Sequence, residues 1–226
     1  MDNQHDDRHF QDRAILRELI QNWVVWRDSA HWDEFRKVWH EDGRMIASWK
    51  QAPFEEFIAA SHAGMERGIN ILHMLGGSAI KVEGSRAISQ TKTSITQRAS
   101  LDGVLCDVNS LARHFDFWEK RPLKSNSQKS DPQELVTARW GLVLRETIFD
   151  KATFSPIDPG AQLAIDKSLL NQFPAEYAAL AYLQEKAGYS VRRDMPHGWR
   201  GPEVEALYRR GEAWLAGRLA KPWDGI

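Results

Sequence analysis

The stretch from about Asn70 to Asp150 has the pattern of successive β-strands, and this feature limits the possible folds more than any other. Hairpin connections are indicated at residues 83–85 (EGS) and 101–103 (LDG), where glycine permits the backbone angles of a tight turn. A polar segment between Arg121 and Gln133 separates the last two strands. Strands joined by short turns pair antiparallel, so this stretch predicts one antiparallel sheet.

The chain before this stretch is mainly helical. Apolar residues between Ile15 and Trp26 recur at the spacing of one helix face, and Asp12 is a candidate cap. Helices followed by a run of strands are typical of an α+β fold, in which N-terminal helices cover a curved antiparallel sheet. The other predicted elements before residue 70 are a helix at 32–39, a turn at 40–43, a strand at 44–49 and a helix at 53–68.

After Asp150 the strand pattern stops, and two amphipathic helices are predicted at 175–188 and 203–217. We therefore divide the chain into a sheet-containing domain, residues 1–150, and a C-terminal helical extension, residues 151–226. The extension has too little apolar surface to fold alone. We expect it either to cover the entrance of a pocket or to hold subunits together.

Composition excludes several classes of function. The 226 residues carry a net charge of −1, which provides no electrostatic field for a nucleic acid or an anionic membrane. Residues 1–10 are too polar for a signal peptide, and no segment has the ~18 apolar residues of a membrane span. The single cysteine, Cys106, excludes an internal disulfide. We expect a cytoplasmic protein.

The sequence contains no motif for a cofactor or a metal. GxGxxG, GxxxxGK[ST], GxSxG and HExxH are all absent, and the histidine pair His5 and His9 lies in a polar terminus. The ten tryptophans leave two interpretations open: they fill the core, or several of them line a cavity for a flat aromatic ligand.

Acid–base chemistry by single side chains is what remains. Asp28 follows the first predicted helix, where it either ends the helix or orients a histidine. His73 lies in an apolar strand, as either a structural or a catalytic residue. Strand alternation places Arg113 on one face of the sheet and both His114 and Asp116 on the other.

These residues also resemble a known family. The residues that carry the resemblance are Asp28, Trp32–Asp33, the segment VWHEDG at 38–43, His73, and Arg139–Trp140 with Asp150 ten residues later. In this pattern the chain resembles the nuclear transport factor 2-like superfamily. Within it, the chain resembles the SnoaL-like branch, which contains scytalone dehydratase and hexachlorocyclohexane dehydrochlorinase. The resemblance covers about residues 8–150. It implies a cone-shaped half-barrel, in which the curved sheet and the N-terminal helices enclose an apolar pocket.

The resemblance also implies a site. Asp28 and His73 match the family's proton-abstracting dyad, and Arg113 is expected to face the pocket and stabilise negative charge on an oxygen. These three are the expected catalytic residues. The lysine and tyrosine that assist some relatives have no clear counterpart, since Trp23 occupies one such position. The expected substrate-binding residues are Trp23, Met45, Trp49, His114 and Phe115.

The dyad and the many tryptophans predict a cofactor-independent lyase that acts on a small aromatic substrate. The chain also resembles the aryl-propane deformylating lyases of the same superfamily, which implies a lignin- or phenylpropanoid-derived substrate. Dehydration through a quinone methide, with or without deformylation to a stilbene and formaldehyde, suits the dyad. Simple dehydration or isomerisation of a polycyclic substrate, a carrier for apolar ligands, and a structural subunit of a larger enzyme are the alternatives. No nucleic acid, membrane or metal partner is expected, and we expect a homo-oligomer, either a trimer or a dimer.

Overall fold

The computed structural model describes residues 9–123 and 138–224. His5 and most of the predicted polar loop at 121–133 lie outside these residues. Helix α1 (Phe10–Asp28) carries its buried side chains on one stripe, which explains why the periodicity predicted it. Four short elements follow: α2 (Trp32–Arg36), β1 (Trp39–Ile46), β2 (Gln51–Pro53) and α3 (Phe54–Glu66).

Four long strands build most of the sheet: β3 (Asn70–Glu83), β4 (Arg86–Leu101), β5 (Val104–Pro122) and β6 (Ala138–Pro156). The six strands are ordered β2-β1-β6-β5-β4-β3, and every neighbouring pair is antiparallel except β1 and β6, which are parallel. The predicted α+β fold, a curved sheet closed by N-terminal helices, is confirmed. The parallel pairing of β1 with β6 was not predicted, because strands joined by short turns indicate only antiparallel pairs.

Both predicted hairpins are present. Asp102 and Gly103 adopt positive φ values of 50° and 87°, the geometry of a two-residue turn that matches the twist of the flanking strands. Gly84, in the turn between β3 and β4, also has a positive φ, of 56°.

The predicted turn at 40–43 is wrong, because these residues lie within β1. The register against β6 shifts between Trp39 and Arg44, so the segment forms an irregularity inside a strand. A Cβ atom at Gly43 would lie 2.8 Å from the Trp39 ring and 3.0 Å from the carbonyl oxygen of Leu142. Glycine is therefore required by close packing within the sheet, and it does not mark the end of an element.

The sheet has an inner face, which faces α1 and carries His114 and Asp116, and an outer face, which carries Arg113 and Phe115. The C-terminal extension contains α4 (Lys167–Leu170), α5 (Ala178–Lys186) and α6 (Pro202–Leu215). Helix α6 packs on the outer face, where Gly211 approaches the Phe115 ring. Strand β6 itself continues to Pro156, beyond residue 150.

Two apolar clusters form the core. One joins the N-terminal helices to the inner face and contains Trp23, Phe35 and Trp118; the other joins the sheet to the extension and contains Phe117, Tyr177 and Trp214. Five of the ten tryptophans are buried in these clusters: Trp23, Trp39, Trp118, Trp140 and Trp214.

Candidate active site

Asp28 and His73 are directly hydrogen-bonded, although they lie 45 residues apart in the sequence. Asp28 is the last residue of α1, and His73 lies in the first half of β3. The carboxylate accepts the backbone N–H of His73 at Oδ2 (2.6 Å) and contacts the ring Nδ1 through Oδ1 (2.8 Å). Because the same carboxylate holds both the backbone and the ring, the imidazole has a fixed orientation.

The electrostatics favour a neutral histidine beside an ionised aspartate. Burial raises the pKa of Asp28, but the hydrogen bonds from His73 and the charge of Arg27 outweigh it and leave that pKa below its ordinary value. Burial lowers the pKa of His73, and Asp28 offsets only part of the shift. An ionised carboxylate only accepts hydrogen bonds, so Nδ1 carries the proton and Nε2 is the basic nitrogen. Within the described residues, Nε2 has no hydrogen-bond partner.

His73 lines an inner cavity between α1, α3 and the inner face of the sheet. The cavity contains about 480 Å³ of empty space including its opening, but the part open to the centre of a water molecule is only about 50 Å³. Such a space holds a few waters or one small ring. Nine of its sixteen lining residues are apolar or aromatic and seven are polar. Those that bear on the chemistry are Trp23, Arg27, Met45, Trp49, His73, Gln97, His114 and Gln184.

Trp23 positions both histidines of the cavity. Its ring makes edge contacts with His73 and His114, at centroid distances of 5.7 Å and 5.6 Å. The indole also packs against Arg145, whose guanidinium carbon lies 4.2 Å from the ring centroid. Complete burial, reinforced by Arg145 and His73, holds the pKa of His114 well below its ordinary value, so His114 is also neutral.

Arg145 is a buried charge with a dedicated partner. Its Nε and Nη2 donate to the two oxygens of Asp116, at 2.7 Å and 2.8 Å, and neither side chain is exposed. Asp116 also accepts from Ser89. This bidentate pair lies behind Trp23, so its charge is compensated away from the cavity.

Arg27 is the cation of the cavity, and the sequence analysis did not select it. Only 3% of the residue is exposed. Its Nη1 donates to Asp28 (3.1 Å) and to the carbonyl oxygen of Ile71 (3.2 Å), while Nε is buried without a partner. The helical period contained the signal, because Arg27 continues the buried stripe of Leu16, Ile20 and Trp23.

An outer cavity adjoins the inner one. The two share the side chains of Arg27, Trp49, Gln97 and Gln184, and the outer cavity extends between α3 and Tyr189 of the C-terminal extension. Helix α5 supplies Gln184, which accepts a hydrogen bond from Ser48 (2.8 Å). The extension therefore forms part of the wall around the entrance, while α6 covers the opposite side of the sheet.

Two predicted site residues lie elsewhere. Arg113 faces outward, where it pairs with Asp150 (2.7 Å) and donates to Tyr208 (2.7 Å) and to the carbonyl oxygen of Gly198 (2.6 Å). Phe115 lies on the same outer face. Both expected placements in the pocket are wrong, because strand alternation puts their side chains opposite His114.

The structure brings the other predicted residues together around the inner cavity: Asp28 and His73 as a hydrogen-bonded pair, with Trp23, Met45, Trp49 and His114 in its lining. Among residues 9–123 and 138–224, no group of three or more histidine, cysteine, aspartate or glutamate side chains has the arrangement of a metal site. Nor does any helix in these segments have the length and hydropathy to cross a membrane.

Comparison with known proteins identifies the family. The family model of the SnoaL-like domain matches residues 8–121. The chain belongs to the SnoaL-like family. This match ends before β6, so the last central strand and the C-terminal extension lie outside it.

Two fungal relatives align with nearly the whole SnoaL-like chain. A PEP2-like protein of Fusarium vanettenii is 35% identical over 225 residues, covering 95% of this chain and 90% of the relative. Pea pathogenicity protein 2 of the same fungus is 33% identical over 212 residues, covering 92% and 84%. These relatives therefore include the C-terminal extension.

Among solved structures, the hexachlorocyclohexane dehydrochlorinase LinA-type3 of Novosphingobium barchaimii shares the fold. Its TM-score is 0.51 at 11% identity, and the match covers 71% of this chain and 99% of the dehydrochlorinase. Nearly the whole of that shorter enzyme therefore aligns with part of this chain.

Proposed function

We propose that this chain is an acid–base lyase that works without a bound cofactor. The observation that carries the proposal is the His73 imidazole, which Asp28 orients through Nδ1 and which lines a largely apolar cavity with its basic nitrogen unpartnered. The proposed reaction class rests on the pair of Asp28 and His73, because the fold alone is compatible with many functions.

The dyad suits an elimination. His73 takes a proton from the substrate at Nε2, Asp28 stabilises the imidazolium that forms, and the same proton then passes to a leaving hydroxyl, which departs as water. Proton transfer by a positioned side chain typically contributes ~10²–10⁴ in rate. The cavity has room for only a few waters, which limits competition from bulk water.

For the substrate we propose a phenol with a benzylic hydroxyl group. Loss of the phenolic proton and the benzylic hydroxide gives water and a quinone methide. A neighbouring CH₂OH group can then lose its O–H proton and leave as formaldehyde, because the electrons of the broken carbon–carbon bond restore the aromatic phenol and form an alkene. The substrate ring would lie in the inner cavity; the outer cavity, with only about 20 Å³ open to the centre of a water molecule, holds one or two waters and not a second ring.

The test uses purified, chelator-treated protein incubated with 4-hydroxyaryl propane diols and their single-ring analogues. Dehydration is followed by absorbance, and carbon–carbon cleavage by released formaldehyde. His73→Ala should lower turnover at least ~10²-fold, whereas His62→Ala, which removes an exposed histidine of α3, should leave it unchanged.

The results separate the alternatives. Dehydration without formaldehyde would support a simple dehydratase. Binding without turnover, unaffected by His73→Ala, would support a ligand carrier and contradict the proposed lyase. A requirement for added divalent metal would contradict the acid–base mechanism.

A further inference from the structure

Arg27 has more hydrogen-bond donors than partners. A guanidinium carries five N–H groups, and among the described residues only Nη1 has acceptors, namely Asp28 and Ile71. The Nε group is buried and unpartnered, and Nη2 has no acceptor in the described chain either. An unpaired buried donor is costly, and Arg27 lines both cavities, so an acceptor on a ligand there would supply the hydrogen bonds that this edge of the guanidinium lacks.

The unpartnered edge has a specific shape. Nε and Nη2 lie side by side in the guanidinium plane, which is the arrangement that binds the two oxygens of a carboxylate in parallel. Arg145 shows this pattern inside the same protein, where Nε and Nη2 hold Asp116. Arg27 presents the same pair of nitrogens with no carboxylate opposite them.

The surroundings of Arg27 are polar and lie where the two cavities meet. Gln97 and Gln184 line both cavities together with Arg27, and they are 4% and 5% exposed. The side chain of Gln97 has no hydrogen bond to any described residue. Two primary amides beside a guanidinium give a ligand oxygen further donors, while the rest of the inner cavity offers mainly aromatic walls.

We propose that Arg27 is a carboxylate-binding residue and that the pocket takes a small aromatic acid, whose ring lies against Trp23 and Trp49. Arg27 is paired with Asp28 through Nη1 and Arg145 is held by Asp116, so the site has no excess of cations and suits a monoanion better than a phosphate. The inference rests on the proposed function in one respect: it places the ligand in the pocket of the dyad.

Binding of an anion there affects His73. The charged or titratable groups near its ring are Asp28 and Arg27 from α1, His114 from β5 and Arg145 from β6. With both histidines neutral, Asp28 balances Arg27 and Asp116 balances Arg145, so an added carboxylate favours a proton on His73. Affinity for the acid should therefore rise as the pH falls, and the bound substrate would raise the basicity of the dyad.

The experiment is calorimetric titration of the full chain with benzoate and with benzamide, its neutral isostere, at two pH values. Benzoate should bind at least ~10-fold more tightly than benzamide, a difference of about 1.4 kcal/mol, and only benzoate should bind more tightly at the lower pH. Arg27→Gln should remove the preference, and Arg27→Lys, which keeps the charge without the paired donors, should retain part of it. Arg17→Gln, on the exposed side of the same helix, is the matched control.

Equal affinity for benzamide, absence of benzoate binding, or a folded Arg27→Gln variant with unchanged preference would overturn the inference. The comparison of the two ligands on the wild-type chain decides the matter even if the variant does not fold. His73-dependent turnover of a neutral phenol without benzoate binding would refute the carboxylate site and leave the proposed function standing. Benzoate binding without any turnover would support the carboxylate site and contradict the proposed function.

Discussion

Replacing Asp28 with asparagine tests whether the carboxylate sets the protonation of His73. An amide has one oxygen in place of two, while the structure gives Asp28 two donors from His73, at 2.6 Å and 2.8 Å. If the amide oxygen keeps the backbone N–H, its NH₂ group faces Nδ1. The ring proton must then move to Nε2, and the basic nitrogen is lost. We expect turnover to fall ~10²–10⁴-fold.

The same change should destabilise the fold. Asp28 also accepts from Arg27 at 3.1 Å, so the substitution weakens three charge-assisted hydrogen bonds and leaves a buried guanidinium without a counter-charge. The amide oxygen retains one of the three bonds, so two are lost at about 1.5–3 kcal/mol each, and we expect a loss of about 3–6 kcal/mol. The matched control is Asp12→Asn on the same helix, which removes the negative charge beside Lys120 and weakens the hydrogen bonds from Lys120 and Trp140 to Oδ1, outside the pocket.

Two measurements check the prediction. Urea unfolding gives the change in stability, and nitrogen NMR of the His73 ring reports which nitrogen carries the proton, whatever the substrate. A folded Asp28→Asn protein that keeps the proton on Nδ1, or whose turnover stays within about threefold of wild type, would refute the reasoning. Asp12→Asn should keep the ring unchanged while it lowers stability.

Three further expectations follow from the geometry. Because burial lowers the pKa of His73 from its ordinary 6.5, the base stays neutral at that pH, so kcat/KM should begin to fall only below it; a profile from about pH 5 to pH 8 measures this. Gly211→Ala would place a Cβ 2.8 Å from the Phe115 ring and should cost about 1–3 kcal/mol in urea unfolding, whereas Gly77→Ala, with open space around it, is the control. Arg113→Leu should lower stability by about 1–3 kcal/mol with the His73 pH profile unchanged, since Arg113 joins the sheet to the extension; a shifted profile would place it at the site after all.

Much of the fold could be predicted because each element carries its own periodic signal. The stripe on α1, the LDG hairpin and the two helices of the extension are local features of the sequence. Trp39 shows the limit of such reasoning: it continues a helical pattern, yet it begins β1, because pairing with β6 about a hundred residues later overrides the local preference.

Less of the candidate site than of the fold could be predicted from the sequence. Nothing local connects Asp28 to His73, and the pair was predicted only through the family resemblance. On β5, alternation correctly separated Arg113 from His114, but it could not show which of them faces the cavity. The reason is physical: the extension covers the outer face, so residues on both faces are buried and the usual contrast between polar and apolar sides disappears. Arg27 was missed because the helix face was identified from apolar residues alone, which leaves out a charged residue on the same buried stripe.

The parallel pairing of β1 with β6 has a consequence for biosynthesis. Within the part of the chain that the structure describes, strands β1 and β2 join the rest of the sheet only through β6, which begins at Ala138, although the recognised SnoaL-like segment ends at residue 121. When a nascent chain has just completed that segment, it contains β1 and β2 on one side of the sheet and β3, β4 and β5 on the other. Strand β6, which lies between these two groups, has not yet been translated. The fold therefore closes late, through contacts of long sequence separation, which is a slow step for any chain. Expression of residues 8–121 alone would yield two unpaired sheet edges, and the ribosome must pass residue 156 before those edges can meet.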